Sequence, residues 1–216
     1  PLFGFALRAK EAAGLYLTGS RRPFAFQGVK LRLGPGRLLP GKEVAPAPPP
    51  PPGPFAPLEA RRDYLDHLRK SAQGLALKRG GVYLDAMGGA GGGILGQVLK
   101  RLEAPVELRE LHPLPHPLFY GVAPDPRPEH LRTLRLLLRE AKPPALGLAL
   151  DGDADRLGVY LPGGEALPGD QALARLREAA QGREVEALGE GAYRFPWHLE
   201  EPDPFLAALL LMGVLL

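Results

Sequence analysis

The stretch that decides the reading is Ala145-Leu-Gly-Leu-Ala-Leu-Asp-Gly-Asp-Ala-Asp-Arg-Leu-Gly-Val-Tyr-Leu161. The unbroken apolar run from Ala145 to Leu150 reads as a buried strand, and Leu157 to Leu161 as a second strand leaving the loop between them. Three carboxylates at alternate positions of that loop, Asp151, Asp153 and Asp155, converge on one point and repel one another unless a hard cation neutralises them. The expected cation is Mg²⁺. A calcium EF-hand loop starts with the same alternation, but it needs Gly at its sixth place and Glu at its twelfth, where this chain has Arg156 and Pro162. It also lies between helices, not between apolar strands. The plainer alternative is a solvated acidic turn. Arg156 adds a permanently charged planar fork suited to phosphate.

Upstream, Glu129 to Ala141 reads as a helix feeding this strand. Before it, strand Val82–Leu84, a Gly-rich turn through Gly93, helix Ile94–Leu102 and strand Val106–Leu108 make a βαβ pattern, in which ligands gather at strand ends. Leu58 to Ser71 reads as an amphipathic helix bridging two units, preceded by a stiff Pro/Ala-rich connector from Pro40 to Pro57. The chain opens with a helix near Phe5–Ala13, a strand at Leu15–Leu17, a loop Thr18–Pro23 and a strand at Val29–Leu33. Downstream, a helix is expected over Asp170–Ala180 and a buried helix over Phe205–Leu216, whose apolar run is too short for the roughly 20 residues of a bilayer span. The fold class is α/β with mixed sheets.

Composition bounds the function. The 216 residues carry 27 basic and 24 acidic side chains and no Cys, which excludes thiolate chemistry and disulfides and accords with the cytoplasm. Seven of the basic residues are Lys and the rest Arg, scattered without the basic stripe of a nucleic-acid site. Neither nucleic acid nor membrane is expected as a partner. The chain starts Pro1-Leu2-Phe3-Gly4, without the features of a signal peptide. The five His, at 67, 112, 116, 130 and 198, lie apart and are poor metal candidates, and spacing gives no Ser-His-Asp arrangement with Ser20 or Ser71.

Several segments resemble, in order, the motifs of the α-D-phosphohexomutases, the phosphoglucomutase and phosphomannomutase family. The acidic loop is similar to their metal-binding segment. Thr18-Gly19-Ser20-Arg21-Arg22-Pro23 resembles their phosphoserine loop, T-[AG]-S-H-N-P, and Phe26-Gln27-Gly28-Val29-Lys30 the Y-N-G-x-K after it. Asp85-Ala-Met-Gly-Gly-Ala-Gly-Gly-Gly-Ile94 resembles D-P-M-x-G-A-G-G, and Pro124-Asp-Pro-Arg-Pro-Glu129 resembles P-x-P-x-P-E. The resemblance implies phosphoryl transfer through Ser20, Mg²⁺ held by Ser20, Asp151, Asp153 and Asp155, and Lys30 as acid/base. It implies hexose phosphate as substrate, glucose or mannose, and a hexose bisphosphate intermediate. Arg21, Arg22, Arg156 and Glu190 are then the candidate substrate contacts.

The resemblance also implies a division into a partial domain 1 over residues 1–72, the most complete domain 2 over 73–172 and a shortened domain 3 over 173–216, with domain 4 absent. Arg21 and Arg22 stand where the family has His and Asn, and Gly189-Glu190-Gly191-Ala192-Tyr193 is a loose echo of its G-E-x-S-G sugar loop. These departures leave a second expectation open: an impaired paralogue or fragment that binds Mg²⁺ and phosphosugar, or a partner. A dinucleotide site is the weaker rival, since Gly91-Gly-Gly-Ile-Leu-Gly96 fits G-x-G-x-x-G but no acidic residue closes a strand about 20 positions later.

Overall fold

The computed structural model describes residues 1–33, 37–43, 53 and 56–216. Its centre is a four-stranded sheet in the order β5 (Val106–Leu111), β4 (Gly80–Asp85), β6 (Ala145–Leu150), β7 (Leu157–Tyr160). β4 pairs parallel with β5 and β6, while β7 returns antiparallel along β6. The sheet is therefore mixed, as expected. All six residues of β6 are buried, which explains its continuous apolar run: helices cover both of its faces. On one side α4 (Arg132–Glu140) brings Leu134 and Leu138, at the three-to-four spacing of a helix face, onto Met87, Ala149 and Tyr160. On the other side the core joins Leu146 and Leu148 to α2 (Arg61–Ser71), α3 (Ile94–Arg101) and α6 (Pro204–Leu215).

Helix α6 is apolar all round and buried from Pro204 to Met212. That pattern marks a helix enclosed by protein, here by α5 (Gly169–Ala179), α2 and strands of two sheets. Asp203 caps it, accepting from Phe205 N and Leu206 N at 2.9 and 3.2 Å. Among the described residues no helix is long and apolar enough to cross a membrane.

Two three-stranded antiparallel sheets flank the centre. One is β1 (Gly14–Thr18), β2 (Gly28–Leu33) and β3 (Arg37–Leu39), preceded by α1 (Leu2–Lys10); the other is β8 (Glu186–Gly189), β9 (Ala192–Phe195) and β10 (Leu199–Pro202). An ion pair of 2.7 Å between Arg32 on β2 and the nearly buried Glu201 on β10 ties the two flanks together.

The structure departs from the sequence expectations in several places. Helix α1 runs from Leu2 to Lys10, earlier than expected, because Glu11 takes a left-handed φ of 50° and stops it. The helix expected over Glu129–Ala141 begins as a 3₁₀ turn at Pro128–His130 and becomes α-helical only after Leu131. Strands β3, β8, β9 and β10 were not anticipated. The connector over Pro40–Pro57 lies for the most part outside the described residues, although Gly41–Glu43 within it form a 3₁₀ turn.

Candidate functional site

Strand β6 ends at the acidic loop. Asp151 is fully buried, and its Oδ1 accepts from the backbone N–H of Asp155 and Arg156 at 3.0 and 3.1 Å, which curls the loop back on itself. One carboxylate oxygen from each of Asp151, Asp153 and Asp155 lies within 4.8 Å of the other two. Burial, and after it the charges of Asp155 and Asp153, push the Asp151 carboxyl well above the ordinary carboxylate range. Asp153 is also penalised by burial, yet Lys30 and the Thr18 hydroxyl hold its carboxyl below that range. Asp153 Oδ1 and Asp155 Oδ1 are buried and accept no hydrogen bond. Buried carboxylate oxygens without donors, in a convergent all-oxygen set, are the donor set of a hard divalent cation such as Mg²⁺. The residues fit such an ion.

The nucleophile candidate comes from the flanking sheet. Ser20 follows β1 with a left-handed φ of 52°, held there by its N–H donating to Thr18 Oγ1 at 2.8 Å, while Thr18 Oγ1 donates to Asp153 Oδ2 at 2.9 Å. The loops touch backbone to backbone: a Cβ at Gly152 would lie 2.4 Å from the Ser20 carbonyl oxygen, so only glycine permits the approach. Arg156 Nη1 donates to Ser20 Oγ and to Asp151 Oδ2, both at 3.2 Å. Strand β2, paired to β1 with Lys30 opposite Tyr16, turns Lys30 Nζ to Asp153 Oδ2 at 3.1 Å and Asp155 Oδ2 at 3.5 Å.

The acidic loop lies between two cavities. One of about 550 Å³ is lined by Tyr16, Lys30, Asp153 and Asp155 together with apolar side chains from α1. The other, of about 310 Å³, is lined by Arg21, Arg127, Arg156 and Glu190. Ser20, Lys30, Arg156 and the three Asp thus meet at one place, and Arg21 and Glu190 stand in the adjoining cavity. Arg22 does not join them; its guanidinium packs over the Phe26 ring at 5.5 Å. Sequence reading did not single out Thr18 or Arg127. The Thr of the T-x-S segment was a visible signal for the first; nothing in the spacing marked the second.

One expectation is corrected. Ser71, His198 and Asp203 do form a hydrogen-bonded line, with Ser71 Oγ to His198 Nδ1 at 2.7 Å and His198 Nε2 to Asp203 Oδ2 at 2.9 Å. His67 stacks on His198 at 4.5 Å, so those two rings are not apart. Spacing could not show this, because the contacts join α2 to the turn before α6. Ser71 closes a helix C-terminus, where carbonyls and not N–H groups face outward, and it lines neither cavity; the line locks elements together rather than attacking a substrate.

Residues 62–164 match the family model for phosphoglucomutase/phosphomannomutase, α/β/α domain II. That stretch belongs to the phosphoglucomutase/phosphomannomutase family. The chain is 30% identical over 184 residues to a phosphoglucomutase of Neisseria meningitidis, an alignment covering 80% of this chain and 38% of that protein. It is 26% identical over 209 residues to a probable phosphoglucosamine mutase of Pyrococcus abyssi, covering 88% of this chain and 45% of the other. Among solved structures, a putative phosphomannomutase from Thermus thermophilus superposes with a TM-score of 0.84 at 29% identity, over all of this chain and 62% of that one. The chain spans less than half the length of the Neisseria and Pyrococcus relatives.

Proposed function

We infer that this chain performs the Mg²⁺-dependent phosphoryl transfer of a phosphohexomutase, passing a phosphoryl group through Ser20 to interconvert a hexose 1-phosphate and 6-phosphate, glucose or mannose being the default sugars. The setting we assign is the cytoplasm, in keeping with a chain without cysteine. The observation that carries the reading is the convergence of Ser20 and Lys30 from one sheet with Asp151, Asp153, Asp155 and Arg156 from another.

The three aspartates would hold Mg²⁺, with Ser20 as a further oxygen donor, and the ion would supply neutralisation of the charge that builds up on the transferred group. Arg156, already bonded to Ser20 Oγ, orients the phosphoserine and binds its phosphoryl oxygens. In the forward half, the bond from phosphorus to Ser20 Oγ breaks as the bond to a sugar hydroxyl oxygen forms. Lys30 is the side chain we assign to exchange the sugar hydroxyl proton in each half, the reverse half being the passage of the other phosphate of the bisphosphate to Ser20. Arg21 lies where it can hold the sugar phosphate during the exchange.

Intact-mass and phosphopeptide analysis after incubation with Mg²⁺ and glucose 1,6-bisphosphate tests this. Phosphate on Ser20, missing from Ser20→Ala, is expected; an unmodified wild-type chain sinks transfer. That result would favour the second reading, a protein that binds Mg²⁺ and phosphosugar, or a partner, without turning it over. Arg21 and Arg22 in place of an imidazole and an amide are the feature that speaks for it.

A further inference from the structure

Strands β1 and β2 have two unlike faces. Their pairing sets Leu15 opposite Leu31 and Leu17 opposite Val29, and β3 extends the first row by setting Leu39 opposite Leu31. Directly opposed residues of antiparallel strands share a face, so these five side chains, with Leu33 two places on from Leu31, make one aliphatic surface. The alternate residues Tyr16, Thr18, Lys30 and Arg32 point the other way, into the molecule. There Tyr16 stacks on Phe3 of α1 at 5.1 Å, Thr18 and Lys30 reach Asp153, and Arg32 meets Glu201. The usual arrangement of a one-sided sheet is inverted: polar side chains face the protein and aliphatic ones face solvent. Leu15, Leu17, Val29 and Leu33 are 55, 68, 59 and 44% exposed, and none of the six joins either apolar cluster of the core among the described residues.

Together with Phe24 and Phe26, half exposed on the loop that joins β1 to β2, this face displays on the order of 700 Å² of apolar surface, more than the largest patch of a typical monomer and close to the roughly 800 Å² that each partner contributes to a stable complex. We propose that it docks on the same face of a second copy of the chain, sheet against sheet about a two-fold axis, to form a homodimer. The rows Leu15–Leu31–Leu39 and Leu17–Val29 are aliphatic throughout, so they offer a charged or hydrogen-bonding partner nothing to recognise, whereas interfaces between identical chains are the more apolar class. Flat aliphatic sheet faces interdigitate with their like at a separation of about 10 Å, and a two-fold contact requires that self-complementarity. Pairing through the β1 edge would leave these side chains in water, so the contact runs face to face. None of the six lines either cavity, and the dimer stands independently of the phosphoryl-transfer reading.

Sedimentation velocity of the full chain across micromolar concentrations tests this. A discrete species of twice the 23.2 kDa chain mass is expected. Leu17→Lys, at the most exposed position of the face, buries an unpaired ammonium in each copy and is expected to raise the dimer dissociation constant at least about a hundredfold. Val29→Lys, across from it on β2, is expected to do the same. Both positions are open to solvent in the single chain, so the variants fold, which circular dichroism and a thermal melt check. Leu114→Lys, 70% exposed on the loop after β5, is expected to stay dimeric. A wild-type monomer at every concentration, or a folded Leu17→Lys or Val29→Lys that associates as the wild type does, overturns the dimer. So does dissociation by Leu114→Lys to the same degree, since association would then be unspecific. Open-ended aggregates, or a monomer that binds a different protein through Leu17, overturn the second copy as the occupant. Ser20 phosphorylation is judged separately and bears on none of these outcomes.

Discussion

Asp153 is the residue on which the two sheets agree. It receives Thr18 Oγ1 and Lys30 Nζ on one oxygen and leaves the other without a donor. Saturating Mg²⁺ is therefore expected to stabilise the folded chain, by about 2.7 kcal/mol at a hundredfold excess over Kd, and to raise Tm in a thermal melt. Asp153→Asn should abolish that rise; an undiminished Mg²⁺ effect in the variant would remove the aspartates as ligands. At Gly152 the expectation is more selective. Ala there must push the Ser20 backbone away, at a cost of about 1–3 kcal/mol of overpacking, and phosphopeptide analysis should find Ser20 unphosphorylated in a chain that still melts cooperatively. Most site residues were legible because their chemistry is local in sequence: Asp151, Asp153 and Asp155 alternate on one loop, and Ser20 sits in a compact motif. Arg127 was not, since its neighbours Arg21 and Glu190 come from distant loops.

Strand β6 and helices α3 and α4 were readable from continuous or periodic apolar residues. Strands β8 to β10 were not, being four residues each with a burial pattern too short to register against Glu186, Glu200 and Glu201. Helix α6 was legible as buried, but its anchor was not. Asp203 gathers Tyr64 Oη, His198 Nε2 and two backbone N–H groups. Asp203→Ala leaves these donors buried and unpaired and is expected to cost about 3 kcal/mol or more in urea unfolding. The pH dependence separates two groups here. Burial opposes ionisation of Asp203, but His198 holds its carboxyl below the ordinary range; its stabilisation is present above the usual carboxylate pKa and is lost only as pH falls through the depressed value. Burial, then His198, lowers the His67 pKa from 6.5, so from about that pH down to the lowered value the unfolded chain binds more protons and stability falls on acidification. Tm is expected to drop between pH 7 and 5 by less in His67→Gln than in the wild type. Equal drops would discount His67.

At the scale of the molecule, the α/β class and the succession of elements from α2 to α5 were legible, whereas the docking of the flanking sheets was not, because Arg32 and Glu201 are ordinary charges until the fold brings them to 2.7 Å. Removing the nearly buried Glu201 carboxylate leaves Arg32 without its partner, and breaking such pairs is strongly destabilising. In Glu201→Ala, amide hydrogen exchange is expected to quicken in β1 and β2 while β4 and β6 stay protected; uniform protection would show that the flanks are held by other contacts. A second seam, between the β1–β2 sheet and the central sheet, bears on the proposed chemistry. Ser20 and Lys30 arrive on one side of it and the aspartates on the other, so on the proposed reading neither sheet owns the chemistry. On that reading competence is a logical conjunction that needs both sheets docked, and a half-unfolded chain is silent before it is unstable.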